Sequence, residues 1–186
     1  MGNGEGRSPT DAFGFGQPVG AVVQYAYTVP DIASGMKLYS KLLGVGPWFV
    51  TGPFRPREAR YRGSSTEIEL TLAIGFAGRV MVELVRQHDD GPSVYREFVE
   101  RRGHGFHHWA IGSKAFDADV ARYCSDGYEI AFADRAPRGN RVVYVDTSRD
   151  LPGMLEIIEM TDVLETRYEM MYAAACGWDG SDPIRS

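Results

Sequence analysis

The chain has 186 residues, with 20 Lys+Arg against 25 Asp+Glu for a net charge of −5, and 44% of it is apolar. That is an ordinary globular composition for one domain or two fused modules, long enough to bury a core without disulfide or metal staples. With no basic run beyond Arg101-Arg102 and no stretch near the roughly 18 apolar residues of a spanning helix, neither nucleic acid nor membrane is an expected partner.

Residues 1–18 are rich in Gly, Ser and Pro, have only Phe13 and Phe15 as apolar anchors, lack the apolar run of a signal peptide, and are read as a flexible leader. From Ala21 to Val29 the chain is β-rich. Pro30-Asp31 opens a helix that runs to Leu43 on Ile32, Met36, Tyr39 and Leu42 and stops at Gly44. Strands are predicted at 47–51, 66–74 and 79–85, with a Gly/Pro/Arg-rich loop at 52–63. A linker helix, 93–102, ends at Gly103. The order then repeats: strand 106–111, helix 116–125, and strands 129–133, 141–146 and 154–160. Two β-α-β-β-β copies therefore fill 21–160, in modules 21–85 and 106–160. A further helix, 161–175, and a polar tail reaching residue 186 are read as accessory. Cys124 and Cys176 lie far apart in no C-x-x-C pattern, which argues against a disulfide scaffold or thiolate zinc site and fits a cytoplasmic protein.

Side chains alternate between the faces of a strand, so a polar residue on an apolar face is informative. Gln24 shares a face with Val22, Ala26 and Thr28, and Glu83 sits between Met81 and Val85. His108 falls in line with Ala110 and Gly112, and Glu156 between Met154 and Ile158. Their positions correspond between the copies: Gln24 and His108 in the first strands, Glu83 and Glu156 in the last. Taken singly, a strand Glu is ordinarily a solvated edge residue and a strand His a satisfied core residue. Four converging on one cavity are costly to bury uncompensated, and one divalent metal ion resolves the cost. An N/O donor set without thiolate suits Zn, Ni, Co, Mn or Fe.

The run QYAYTVPDIASGMKLYSKLLGVG resembles the strand-helix entry of the vicinal oxygen chelate superfamily, which includes glyoxalases, bleomycin-resistance proteins and extradiol dioxygenases. MVELVRQHDDGPSVYREFVERRGHGFHHWAI is similar to the linker helix, glycine turn and double histidine of its methylmalonyl-CoA epimerases. The ligand order Gln24, Glu83, His108, Glu156 resembles that of eukaryotic glyoxalase I, not the His, Gln, His, Glu of the epimerases. The resemblance implies an α+β fold, its two βαβββ modules forming a curved, mostly antiparallel sheet around a metal-binding cavity. It also implies a homodimer, a site built from one chain or from two, and a ligand at the second histidine. His107 is then expected on the helix side, in a structural role.

The activity implied is an isomerase, epimerase or lyase moving a proton next to the carbonyl of a small-molecule substrate, possibly a thioester. Glu156 is the implied base, with Glu67 or Glu69 as the catalytic partner across the cavity; both equally read as solvent-facing. Arg55, Arg57, Arg60 and Arg62 are either an anion-binding loop or a solvated one. A metal-dependent dioxygenase and a non-catalytic small-molecule binding protein of the resistance type are the competing readings.

Overall fold

The computed structural model describes residues 11–185. The β-rich run becomes β1 (Val22–Thr28), and Asp31 then starts α1 (Ile32–Leu43) by accepting from the Ser34 N–H at 2.8 Å; Gly44, at φ 66°, ends it. Next come β2 (Trp48–Phe54), β3 (Arg57–Tyr61), β4 (Ser64–Ser65), β5 (Leu70–Ala77), β6 (Val80–Gln87) and α2 (Val94–Arg102). The second copy contributes β7 (Gly105–Ser113), α3 (Phe116–Ser125), β8 (Ile130–Arg135), β9 (Arg141–Val145) and β10 (Met154–Glu159). Then follow α4 (Asp162–Ala175) and β11 (Ile184–Arg185).

The strand order β11-β2-β5-β6-β1-β7-β10-β9-β8-β3-β4 contains the repeat as a palindrome. β2-β5-β6-β1 meets β7-β10-β9-β8 at the antiparallel β1·β7 seam, and in each half the first strand runs parallel to the last. The sheet is curved and unclosed, but Arg55 and Pro56 alone join β2 near one end to β3 near the other. One sheet face carries α1 on Val29, Trp48, Val82 and Leu84, and α3 on Ile111, Val143, Leu155 and Ile157. The opposite, inner face is filled by α2 and α4. Tyr95 of α2 packs with Leu70, Phe132 and Tyr144, while Leu164, Tyr168 and Met171 of α4 pack with Phe76, Met81 and Ile158. Each helix follows the last strand of its module, so α4, read from sequence as an accessory, is the counterpart of α2.

Three expectations need correction. The leader fails for residues 11–18, because Phe13 and Phe15 are buried against α4, stacked at 5.3 Å; residues 1–10 lie outside the described part. The loop at 52–63 contains β3, whose arginine-rich sequence hides its pairing with β8 on one side and with β4, just beyond the loop, on the other. Strict alternation breaks twice, once in each first strand. Register shifts leave Val23 and His107 without a counterpart across the seam, forming β-bulges immediately before Gln24 and His108. Val22 accordingly packs with the α3 cluster and Val23 with the inner one.

No helix among the described residues is long and apolar enough to cross a membrane. Both cysteines are free and exposed.

If the 11–18 segment is part of the core, Phe15→Ala should cost about 3–5 kcal/mol of stability in urea unfolding. A loss under about 1 kcal/mol would return the segment to the status of a leader.

Candidate metal centre

The seam places the four polar residues in two rows. Glu83, Ala26 and His108 are neighbours across β6, β1 and β7; Gln24, Ala110 and Glu156 are neighbours across β1, β7 and β10. In each row an alanine separates the two ligand-type side chains. Ala26 and Ala110 are fully buried, and their small side chains leave room for the flanking groups to converge. All four polar residues come from one chain, two from each module.

Glu83, His108 and Glu156 each offer a ligand atom within 4.8 Å of the others, all three buried. His108 Nε2 stands 3.1 Å from Glu156 Oε2 and 3.6 Å from Glu83 Oε2, yet its orientation makes it a hydrogen-bond partner of neither. The Gln24 amide donates to Glu83 at 3.1 Å and to Glu156 at 3.4 Å, while its Oε1 has no partner. An orphaned amide oxygen and an orphaned imidazole nitrogen beside two carboxylates are what a divalent cation would satisfy, and this N/O set fits Zn, Ni, Co, Mn or Fe.

The surroundings set the tautomer of His108. The His107 Nε2–H donates to the Val94 carbonyl at 3.1 Å, and burial together with His108 pushes the His107 pKa down to about 3, so that ring is neutral. Its Nδ1 therefore carries a lone pair, which accepts the Nδ1–H of His108 at 2.8 Å. A neutral His108 is left with its lone pair on Nε2, directed at the two carboxylates. His107 thus lies on the inner side, against Tyr95 at 4.9 Å, and not on the α1/α3 face that alternation assigns it. The bulge turns it there.

On the other flank, the Tyr144 hydroxyl donates to Glu156 Oε1 at 2.9 Å and accepts from Tyr95 at 2.7 Å. Desolvation, reinforced by Glu156 and Asp134, pushes the Glu83 carboxyl well above its ordinary range. Asp134, on β8, is a group the sequence reading missed. Its Oδ1 is buried without a hydrogen bond, and burial plus the Glu156 charge raises its pKa to about 8. Asp134 is paired across the sheet with Val142, on the inner face, as alternation from Phe132 would have indicated.

Glu67 and Glu69 are not brought to the cluster. They precede β5, whose inner face is Leu70, Leu72 and Ile74, so Glu69 falls on the parity of Thr71 and Ala73, toward α1. Both lie near Arg55, at 3.7 and 3.8 Å, and the Glu67 side chain is 88% exposed. Arg62 is likewise engaged, bridging Glu97 at 2.8 Å and Asp146 at 3.0 Å.

Above the cluster lies a cavity of about 350 Å³ with Gln24, Glu83 and Glu156 on its floor. Leu72, Ile74, Val142 and Ile158 form its walls, and Leu164, Tyr168 and Met171 bring α4 over it. Paired βαβββ modules with a His/Glu/Glu cluster at their seam define a class of small-molecule cups with a metal-binding capacity. The chain belongs to the Glyoxalase/Bleomycin resistance protein/Dioxygenase superfamily, whose profile matches residues 23–144. It is similar to a hypothetical protein from Bacillus halodurans (TM-score 0.57, 18% identity, 76% of this chain and 95% of that one). It also resembles methylmalonyl-CoA epimerase from Mycobacterium tuberculosis (TM-score 0.54, 19% identity, 78% and 91%). The Streptomyces coelicolor methylmalonyl-CoA epimerase in complex with 2-nitronate-propionyl-CoA is a further structural neighbour (TM-score 0.53, 15% identity, 77% and 99%). At these identities the likeness is one of fold. No curated protein matches the sequence.

His108→Ala should abolish stoichiometric zinc binding, whereas His107→Phe should keep the ion but bind it about 10- to 100-fold more weakly in a chelator competition. Equal affinity for wild type and His107→Phe would show that the Val94–His107–His108 relay does not prepare the ligand.

Asp134 ties stability to pH. In metal-free protein the folded state holds a proton that the unfolded state has released between the ordinary carboxylate range and about pH 8. Stability should therefore fall as pH rises through that window. Asp134→Asn should flatten the fall, a change of the order of a few kcal/mol by pH 8, read from urea midpoints across the range.

Proposed function

We propose that the protein is a metal-dependent isomerase of the epimerase kind, moving a proton at a carbon next to a carbonyl of a small substrate. What carries this reading is the Glu83–His108–Glu156 cluster with the orphaned Gln24 oxygen on the floor of a half-open, largely apolar cavity beneath α4. Gln24, Glu83, His108 and Glu156 would hold the ion, which polarises the carbonyl and stabilises negative charge developing on oxygen. Glu156 is the base. Tyr144 fixes its Oε1, so the carboxylate is oriented before the substrate arrives, and the proton taken from carbon comes to rest on the Glu156 side chain. Glu83 lines the same cavity on the other side of His108; protonated while Glu156 is ionised, it would give its proton to the opposite face and be left ionised as Glu156 becomes protonated, whereas Glu67 and Glu69, paired with Arg55 outside, do not take this part. The apolar walls and α4 exclude water that would compete for the proton.

The chain is further proposed to form a homodimer, for which Leu38, Leu42 and Leu43, exposed on one stretch of α1, supply an apolar surface.

The test is deuterium uptake from heavy water into 2-substituted malonyl thioesters and glutathione hemithioacetals by the zinc- or cobalt-loaded protein. Wild type should catalyse exchange, and Glu156→Gln should reduce it by at least about a thousandfold, beyond what its residual metal content explains. Absence of exchange with every carbonyl compound, with oxygen consumption by the iron-loaded form, would replace the isomerase by a dioxygenase.

A further inference from the structure

The cavity has a second polar feature besides its floor. Arg138, in the turn between β8 and β9, and Arg167, on α4, both line it. Among the described residues neither guanidinium has a hydrogen bond or an ion pair with a carboxylate, and each opposes the charge of the other. Arg167 is half-buried; burial first, then Arg138, pushes its guanidinium below its ordinary value, the Tyr168 hydroxyl opposes this in part, and no carboxylate offsets it. Five other arginines run the opposite way: Arg62, Arg96, Arg135, Arg141 and Arg149 each sit on a carboxylate.

 Against those five, Arg138 and Arg167 are like charges with no carboxylate partner among the described residues.

The charge balance of the site says what is missing. A divalent ion would leave no negative charge over on the floor, since one of Glu83 and Glu156 carries the transferred proton and Gln24 and a neutral His108 add no charge. The two guanidinium charges then remain uncompensated: Arg138 is exposed to solvent at the rim, while Arg167 is half-buried beside an apolar wall, where unpaired charge is costly. Resting on the proposed reaction, we infer that the substrate is a small organic oxyanion, its carboxylate or phosphate held by Arg138 and Arg167 and its apolar body lying along Leu72, Ile74 and Val142. Guanidinium groups suit this task because their planar N–H forks match both oxyanions. The cavity, at about 350 Å³, is the size of a small-molecule site. Arg167 comes from α4, beyond the 23–144 stretch that the family profile matches, so this specificity belongs to the chain's own C-terminal helix.

The experiment is calorimetric titration of zinc-loaded protein with benzoate, its uncharged amide and phenyl phosphate, none of which has a hydrogen on a carbon next to a carbonyl and so none of which can undergo the proposed reaction. Wild type should bind at least one anion about tenfold or more tighter than the amide, the least that a charge-assisted hydrogen bond supplies. In the Arg138→Met/Arg167→Met double variant that preference should vanish with zinc content unchanged, and Arg167→Met alone should melt higher than wild type without ligand, because a repelling charge is gone. A preference for benzoate over phenyl phosphate, or the reverse, identifies the oxyanion. An amide that binds as tightly as both acids, a preference that survives in the double variant, or no binding of any probe overturns the inference. Anion preference without proton exchange would sink the reaction and leave the oxyanion site standing; exchange without anion preference would do the reverse.

Discussion

Two carboxylates and an imidazole lone pair are held in one dry space, and the rest of the structure is arranged around that conflict. Each buried carboxylate gives up hydration worth several kcal/mol, and each raises the cost of ionising the other. Without a cation, protons have to take its place, which is why burial and Glu156 together drive the Glu83 carboxyl upward. The Gln24 amide, wedged between the carboxylates with its nitrogen toward them, is the other stopgap. A folded state that tolerates this arrangement needs support elsewhere, and the large apolar clusters on both faces of the sheet supply it.

The pseudo-symmetric seam is the means of building the cluster. Antiparallel pairing of two first strands sets residues from both modules side by side, and one alanine per row keeps the space between them open. The two bulges then do different work in the two halves. In the first, Val23 joins the core that Phe13, Phe15 and α4 complete. In the second, the equivalent place is taken by His107, which connects the ligand to a backbone carbonyl at the start of α2. Duplication gave the halves one frame, and divergence at a single bulged position gave one of them a hydrogen-bond relay.

Much of this was legible in sequence. Helix caps and apolar spacing located α1, α2 and α3, and polar residues on apolar strand faces marked Gln24, Glu83, His108 and Glu156. What failed did so for definable reasons. Alternation assumes a regular strand, so a bulge displaces every assignment beside it: His107 was placed on the wrong face, and Val22 was exchanged with Val23. The composition of residues 11–18 reads as a leader because burial of Phe13 and Phe15 depends on α4, far away in sequence. Glu67 and Glu69 were extended into a strand that begins only at Leu70. Asp134 went unread because one carboxylate near a strand end carries no pattern, although its parity with Phe132 pointed inward.

Closing the cavity with α4 also changes what the cavity can select. The sheet and its ligands come from the duplicated modules, so they can favour a chemistry but carry little information about which molecule undergoes it. The cover is free to vary, since it meets the modules mainly through Leu164, Tyr168 and Met171 and places other side chains over the opening. Arg167 is such a side chain: half-buried and facing a like charge, it lowers the stability of the empty protein and gains a partner only when the cavity is filled. Selection of this kind would place the unfavourable charge on α4 and keep it apart from the Glu83–His108–Glu156 cluster at the seam, so that the proposed reaction and its specificity reside in separable parts of one fold.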